Sequence, residues 1–199
     1  MRRHIRSCQA NRMTLHTTES FLFGEVHLSC ISSPSLDNAL VVQRVAFTPM
    51  LTDGMAVDFV TAYRIFFVVS FPIHNFSFDL TLTECSTNGN PDSGEWLDAQ
   101  SWPIGNGLLM IGTEDGETLL RRMPWLAIQG DDYSIEYLRH GFRLAIPYVA
   151  PNTPVGLHFV LAYNHVDAGD DSEWDAVNVP HAKLIELPVA KHICGTIAG

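Results

Sequence analysis

The feature that most constrains this chain is alternation. From Phe76 to Thr83 apolar and polar residues alternate without a break. Only an extended strand with one buried face puts every second side chain on the same side. The same period recurs in Phe142, Leu144, Ile146 and Tyr148, and in Val155, Leu157, Phe159, Leu161 and Tyr163. A longer stripe runs through Val57, Phe59, Tyr63, Ile65, Phe67, Val69 and Phe71. Near the start, apolar parity switches from Phe21 and Phe23 to Val26, Leu28 and Cys30 across Gly24, as a bulge would require. No stretch of a dozen residues sustains a helical period, and short capped turns are expected only at 93–99 and 172–177. About eight strands separated by turn signals predict an all-β fold, an immunoglobulin-like antiparallel β-sandwich.

Length and charge narrow the classes. With 199 residues, a single domain over 13–199 is expected. Residues 1–12 hold Arg2, Arg3, Arg6 and Arg12 and no acid, and are expected to form a short, basic, disordered tail. The formal net charge of −10 argues against a nucleic-acid partner, whose phosphates attract Lys and Arg. No apolar run approaches the roughly 20 residues of a membrane span, so no membrane partner is expected. Cys8, Cys30, Cys85 and Cys194 lie far apart without a CxxC pair, which suggests reduced thiols and a cytoplasmic protein.

Two polar stretches read as long loops, 86–106 with Trp96 and Trp102, and 167–178 with Trp174. Each holds a Glu-Trp pair, Glu95-Trp96 and Glu173-Trp174. The carboxylate pairs Glu114/Asp115 and Asp131/Asp132 flank Gly116 and Gly130, as at hairpin tips. Signs of catalysis are missing: there is no Gly-x-Ser-x-Gly, P-loop or dinucleotide fingerprint. The acids of 167–175 lack the spacing of a calcium loop, and the nine histidines form neither HxH nor HExxH. No metal, cofactor or enzymatic activity is therefore expected, although a hydrolase assembled from distant residues stays open.

Four stretches, the first two read together, resemble a known arrangement when taken in order. Arg44-Val45-Ala46-Phe47 matches the R-V-x-F motif that docks the catalytic subunit of protein phosphatase 1. Gly54-Met55-Ala56-Val57-Asp58-Phe59-Val60 is similar to the G-x-x-L-x-x-V stretch that follows it in glycogen-targeting subunits. Ile73-His74-Asn75-Phe76-Ser77-Phe78-Asp79 resembles the V-x-N-L-x-F-E strand that opens a family 21 carbohydrate-binding module. Residues 142–178, ending in Glu173-Trp174-Asp175, look like that module's closing strands and its W-D-N-N-x-G-x-N-Y signature. Ala176 and Val177 stand where the signature has paired asparagines.

The resemblance spans residues 41–185. It implies a non-catalytic adaptor that binds glycogen or a related polysaccharide and targets protein phosphatase 1 to it. Arg44, Val45 and Phe47 would dock the phosphatase by strand addition. Trp96, Trp174, Asp175 and Asn178 would hold sugar, with aromatic faces on pyranose C–H surfaces and polar groups on hydroxyls. From a different class comes a protein-interaction or structural β-sandwich that does not bind sugar.

Overall fold

The computed structural model describes residues 2–9, 12–21, 24–33, 41–45, 49, 51, 54–82, 87–94, 97–126, 134–165, 171–179, 183 and 189–192. The fold is all-β, as the alternation predicts. Its first half comprises β1 (Arg2–Gln9), β2 (Arg12–Phe21), β3 (Gly24–Ser33), β4 (Val41–Val45), β5 (Phe59–Val68) and β6 (Ile73–Leu82). There follow β7 (Asn90–Ser93), β8 (Leu97–Ile104), β9 (Gly107–Glu114) and the helix α1 (Gly116–Arg122). A 3-10 turn (Pro124–Leu126) leads to β10 (Ser134–Leu138), β11 (Gly141–Val149), β12 (Pro154–Asn164), α2 (Ser172–Val177) and β13 (Val189–His192).

The pairings of the described strands are all antiparallel, in two sheets. The first has the order β1-β2-β3-β6-β11-β10 and the second β13-β4-β5-β12-β9-β8-β7. One core joins them. Phe76, Leu80 and Leu82 of β6 and Phe142, Leu144 and Ile146 of β11 meet Tyr63, Ile65 and Phe67 of β5 and Leu157, Phe159 and Leu161 of β12. The rings of Phe67 and Phe76, from different sheets, lie 5.3 Å apart between centroids. Each buried side chain of this size adds roughly 1.5–3 kcal/mol.

Several elements differ from the sequence reading. Arg2–Gln9, expected as a disordered tail, is drawn in as β1 and pairs with β2. The parity switch at Gly24 is not a bulge: Phe21 pairs with Gly24 across a hairpin between β2 and β3, and reversing the chain resets the parity. Among the described residues of 93–99, the chain is sheet rather than a capped turn. Ser93 pairs with Asp98, and the Gly94 N–H donates to the Leu97 carbonyl at 2.8 Å, which makes a hairpin of β7 and β8. Most of the expected loop at 86–106 is thus sheet.

Glu114/Asp115 is a helix start rather than a hairpin tip. The Asp115 carboxylate accepts the Thr118 N–H at 2.6 Å and caps α1. The other expected tip, Asp131/Asp132, lies outside the described residues. The short turn expected at Ser172–Val177 is present, as a six-residue helix over those residues.

Candidate functional site

Four strands place the sugar-binding candidates. On the outer face of the second sheet, Ala62, Ala99, Val160 and Ala162 leave room for a helix, and α2 fills it with Ala176 and Val177, both fully buried. Gly112 makes the approach possible: a Cβ there would stand 3.1 Å from the Val177 Cβ and 2.7 Å from the Leu97 Cδ1. Ala176 and Val177 are thus the helix's anchors in the sheet. An asparagine at either position would bury an amide against aliphatic side chains.

Three of the four candidates share this short helix. Trp174 is half-buried and packs on the same cluster. Its benzo ring lies over Gly94, where an added Cβ would come within 2.7 Å of Cζ2. Asp175 is half-buried, and its N–H donates to the Asp171 carbonyl at 3.0 Å. Asn178 ends the helix, its N–H donating to the Trp174 carbonyl at 2.9 Å. The Asn178 Oδ1 is buried with no hydrogen-bond partner among the described residues. Trp96 lies outside the described residues. Trp102 is wholly buried in the inter-sheet core, with Nε1 donating to the Arg139 carbonyl at 3.3 Å.

The docking candidates fall on β4. Arg44 pairs with Tyr63 of β5 on one side and Lys191 of β13 on the other; Val45 pairs with Ala62 and Val189. Both backbone edges of the strand are therefore engaged within the sheet, whereas strand addition needs an open edge. Phe47 lies outside the described residues.

A charged cluster that the sequence did not reveal sits at one end of the same outer face. Arg64, His158 and Glu114 stand opposite one another on β5, β12 and β9 in adjacent register, and all three are buried. Arg122, from the last turn of α1, grips Glu114 at both oxygens, Nε to Oε1 at 3.0 Å and Nη2 to Oε2 at 2.5 Å. The same Nη2 donates to the Gly156 carbonyl at 2.5 Å. His158 Nδ1 is 3.7 Å from Glu114 Oε2.

Burial pushes the Glu114 carboxyl above its ordinary pKa, while Arg122 pulls it back down and Asp115 adds to the rise. Burial also lowers the Arg64 guanidinium. The arrangement binds α1 to β9 and β12, a structural clamp by its contacts. A narrow cleft runs beside it, lined by Thr113, Leu119, Ile135, Phe142 and Leu157.

A polar seam closes the other side. Asp98, Gln100 and Trp102 of β8 reach across to the first sheet. There the Tyr137 hydroxyl donates a hydrogen bond to the Asp98 carboxylate, and the Gln100 Nε2 donates to the Leu138 carbonyl at 3.0 Å. The Tyr137 hydroxyl is pushed well above the usual phenol range, first by burial and then by Asp98.

Among the described residues, no group of three or more His, Cys, Asp or Glu could hold a metal ion, and no helix is long and apolar enough to cross a membrane. No protein-family model, curated protein or solved structure matches the chain.

Proposed function

We propose that the chain is a non-catalytic contact module, an immunoglobulin-like β-sandwich that acts through its surface without stacking on sugar. The observation that carries this reading is the seat of Trp174. Gly94 lies against its benzo ring and the side chain packs on the Ala176–Val177 cluster, which leaves less of the indole open to a pyranose. The two-sided pairing of β4 supports the same reading, because it leaves no edge for the phosphatase. Polar side chains are tied up in pairs, Glu114 with Arg122 and Asp98 with Tyr137 towards the interior, and Asp79 with Arg143 at 2.8 Å nearer the surface. That use favours architecture over catalysis.

Co-sedimentation with glycogen and retention on immobilised phosphatase catalytic subunit test the proposal together. The expected outcome is that the folded chain remains in the supernatant and does not retain the phosphatase. One observation favours the second reading, a glycogen-targeting adaptor: Trp174, Asp175 and Asn178 gather on one helical turn. A glycogen pellet that Trp174→Ala abolishes, with the β-sheet circular dichroism unchanged, would overturn the first reading in favour of the second.

A further inference from the structure

The strands that end the two sheets are not alike. β7 has four residues and carries Pro91, β13 has four, β10 has five and β1 has eight. β1 pairs with β2 on one side, and among the described residues no strand pairs with its other side. In such a strand every second residue turns its N–H and C=O away from the ladder. β1 therefore offers the longest open row of backbone donors and acceptors among the described strands. β4, where the docking candidates fall, is paired on both sides.

Charge divides the chain at the same place. Arg2, Arg3 and Arg6 lie in β1, and Arg12 stands opposite Gln9 from β2. The residues of β2 in register with β1 are Arg12, Met13, Thr14, Leu15, His16 and Thr18, none of them acidic. Residues 1–18 contain no Asp or Glu, while residues 13–199 hold 8 basic and 22 acidic side chains. The edge is cationic on a chain that is otherwise strongly anionic.

We infer that β1 is a strand-addition site for an acidic, extended segment of a partner protein. The inference rests on reading the chain as a contact module, and it names what that module holds. An open edge binds a polypeptide through main-chain hydrogen bonds, so charge supplies the selection. Arginines along the edge oppose pairing with an identical strand, which would set like charges side by side. An acidic strand is drawn to them instead. Nucleic acid shares that attraction but lacks the peptide N–H groups that extend a ladder. The register shift between Arg2 and Ile5 confines the regular ladder to Ile5–Gln9, with Arg6 inside it and Arg2 and Arg3 beyond the break.

Fluorescence anisotropy with a labelled peptide of alternating Glu and Val, about ten residues long, tests the inference on the full chain. The parent is expected to bind it, and more weakly as salt rises. N-methylation of all the peptide N–H groups keeps the charge but removes the ladder, and should abolish binding. Charge reversal by Arg3→Glu with Arg6→Glu should weaken binding roughly tenfold or more. Arg3→Lys with Arg6→Lys should keep most of it, with circular dichroism as the check on folding in both variants.

No binding by the intact chain overturns the inference, as does equal binding of the N-methylated peptide or undiminished binding by the charge-reversed variant. Tighter binding of oligothymidylate than of the peptide would assign the arginines to nucleic acid and overturn it too. A concentration-dependent oligomer in sedimentation velocity that charge reversal dissolves would give the edge to a second copy of the chain instead. Failure to bind the peptide in a chain that also ignores glycogen removes the acidic partner alone; a Trp174-dependent glycogen pellet removes the contact-module reading itself.

Discussion

The two faces of the second sheet bury side chains by different means. The inner face meets another sheet, and large residues such as Phe159, Ile111 and Trp102 fill the space. The outer face meets one six-residue helix, and its small residues, Ala62, Ala99, Gly112 and Ala162, let that helix come close. Towards the end of β9 the outer face changes from aliphatic to charged, where α1 replaces α2 as the cover. A sheet against a sheet demands volume, whereas a short helix on a sheet demands closeness. Tryptophan shows the contrast most directly. Trp102 on the inner side is sealed and bonded, while Trp174 on the outer side is only partly buried.

If the faces differ in this way, truncating the inner one should cost most. Phe159→Ala is expected to lose about 3–5 kcal/mol by leaving a cavity between the sheets, measured by urea denaturation. A loss under about 1 kcal/mol would mean that the sheets are not tightly packed there. Next comes the charged end of the outer face. Arg122→Ala strands the buried Glu114 carboxylate, for an expected loss of about 2–3 kcal/mol. The double variant with Glu114→Gln should recover part of it, and no recovery would refute the clamp.

Trp174→Ala should cost less, about 1–2 kcal/mol, because the ring is only half-buried. A loss as large as that of Phe159→Ala would erase the distinction between the faces. The smallest expected effect is on pH dependence. The folded Glu114 carboxyl has a raised pKa, so the native state holds its proton more tightly than the unfolded chain does. This contribution is fully present at low pH and is lost as pH rises out of the ordinary carboxylate range through the raised value. The parent should therefore lose stability relative to Glu114→Gln over that window, and parallel pH profiles would contradict it.

Strands with one apolar face were legible in the sequence. Phe76, Leu80 and Leu82, and Leu157, Phe159 and Leu161, are buried in the shared core as their alternation predicts. The alternation failed on β8, whose residues Leu97–Ile104 read as a polar loop. Its inward positions carry Asp98, Gln100 and Trp102, and its outward ones Ala99 and Ser101. Polar residues there are buried because Tyr137 and the Leu138 carbonyl receive them, a compensation visible only in three dimensions. The helix α1 was hidden for another reason. Seven residues are too few to establish a 3.6-residue period, and Asp115 three before Thr118 was the one local cue.

The candidate site was legible in part. Trp174, Asp175 and Asn178 do come together, yet Ala176 and Val177 between them face the sheet as anchors. The Glu114–Arg122 pair could not be anticipated, since eight residues separate partners that meet only because a helix turns back over the end of β9.

The seam between β8 and β10 has a consequence for the fate of the chain in concentrated solution. β10 is the last strand of its sheet, and a bare last strand is a template on which another molecule can add its own. Here the Leu138 carbonyl is taken by Gln100, and the Arg139 carbonyl receives both Trp102 Nε1 and the Gly89 N–H. The last carbonyl of this strand and that of the turn after it are thus engaged within one molecule, which makes this end of β10 a poorer place for a second molecule to begin adding a strand.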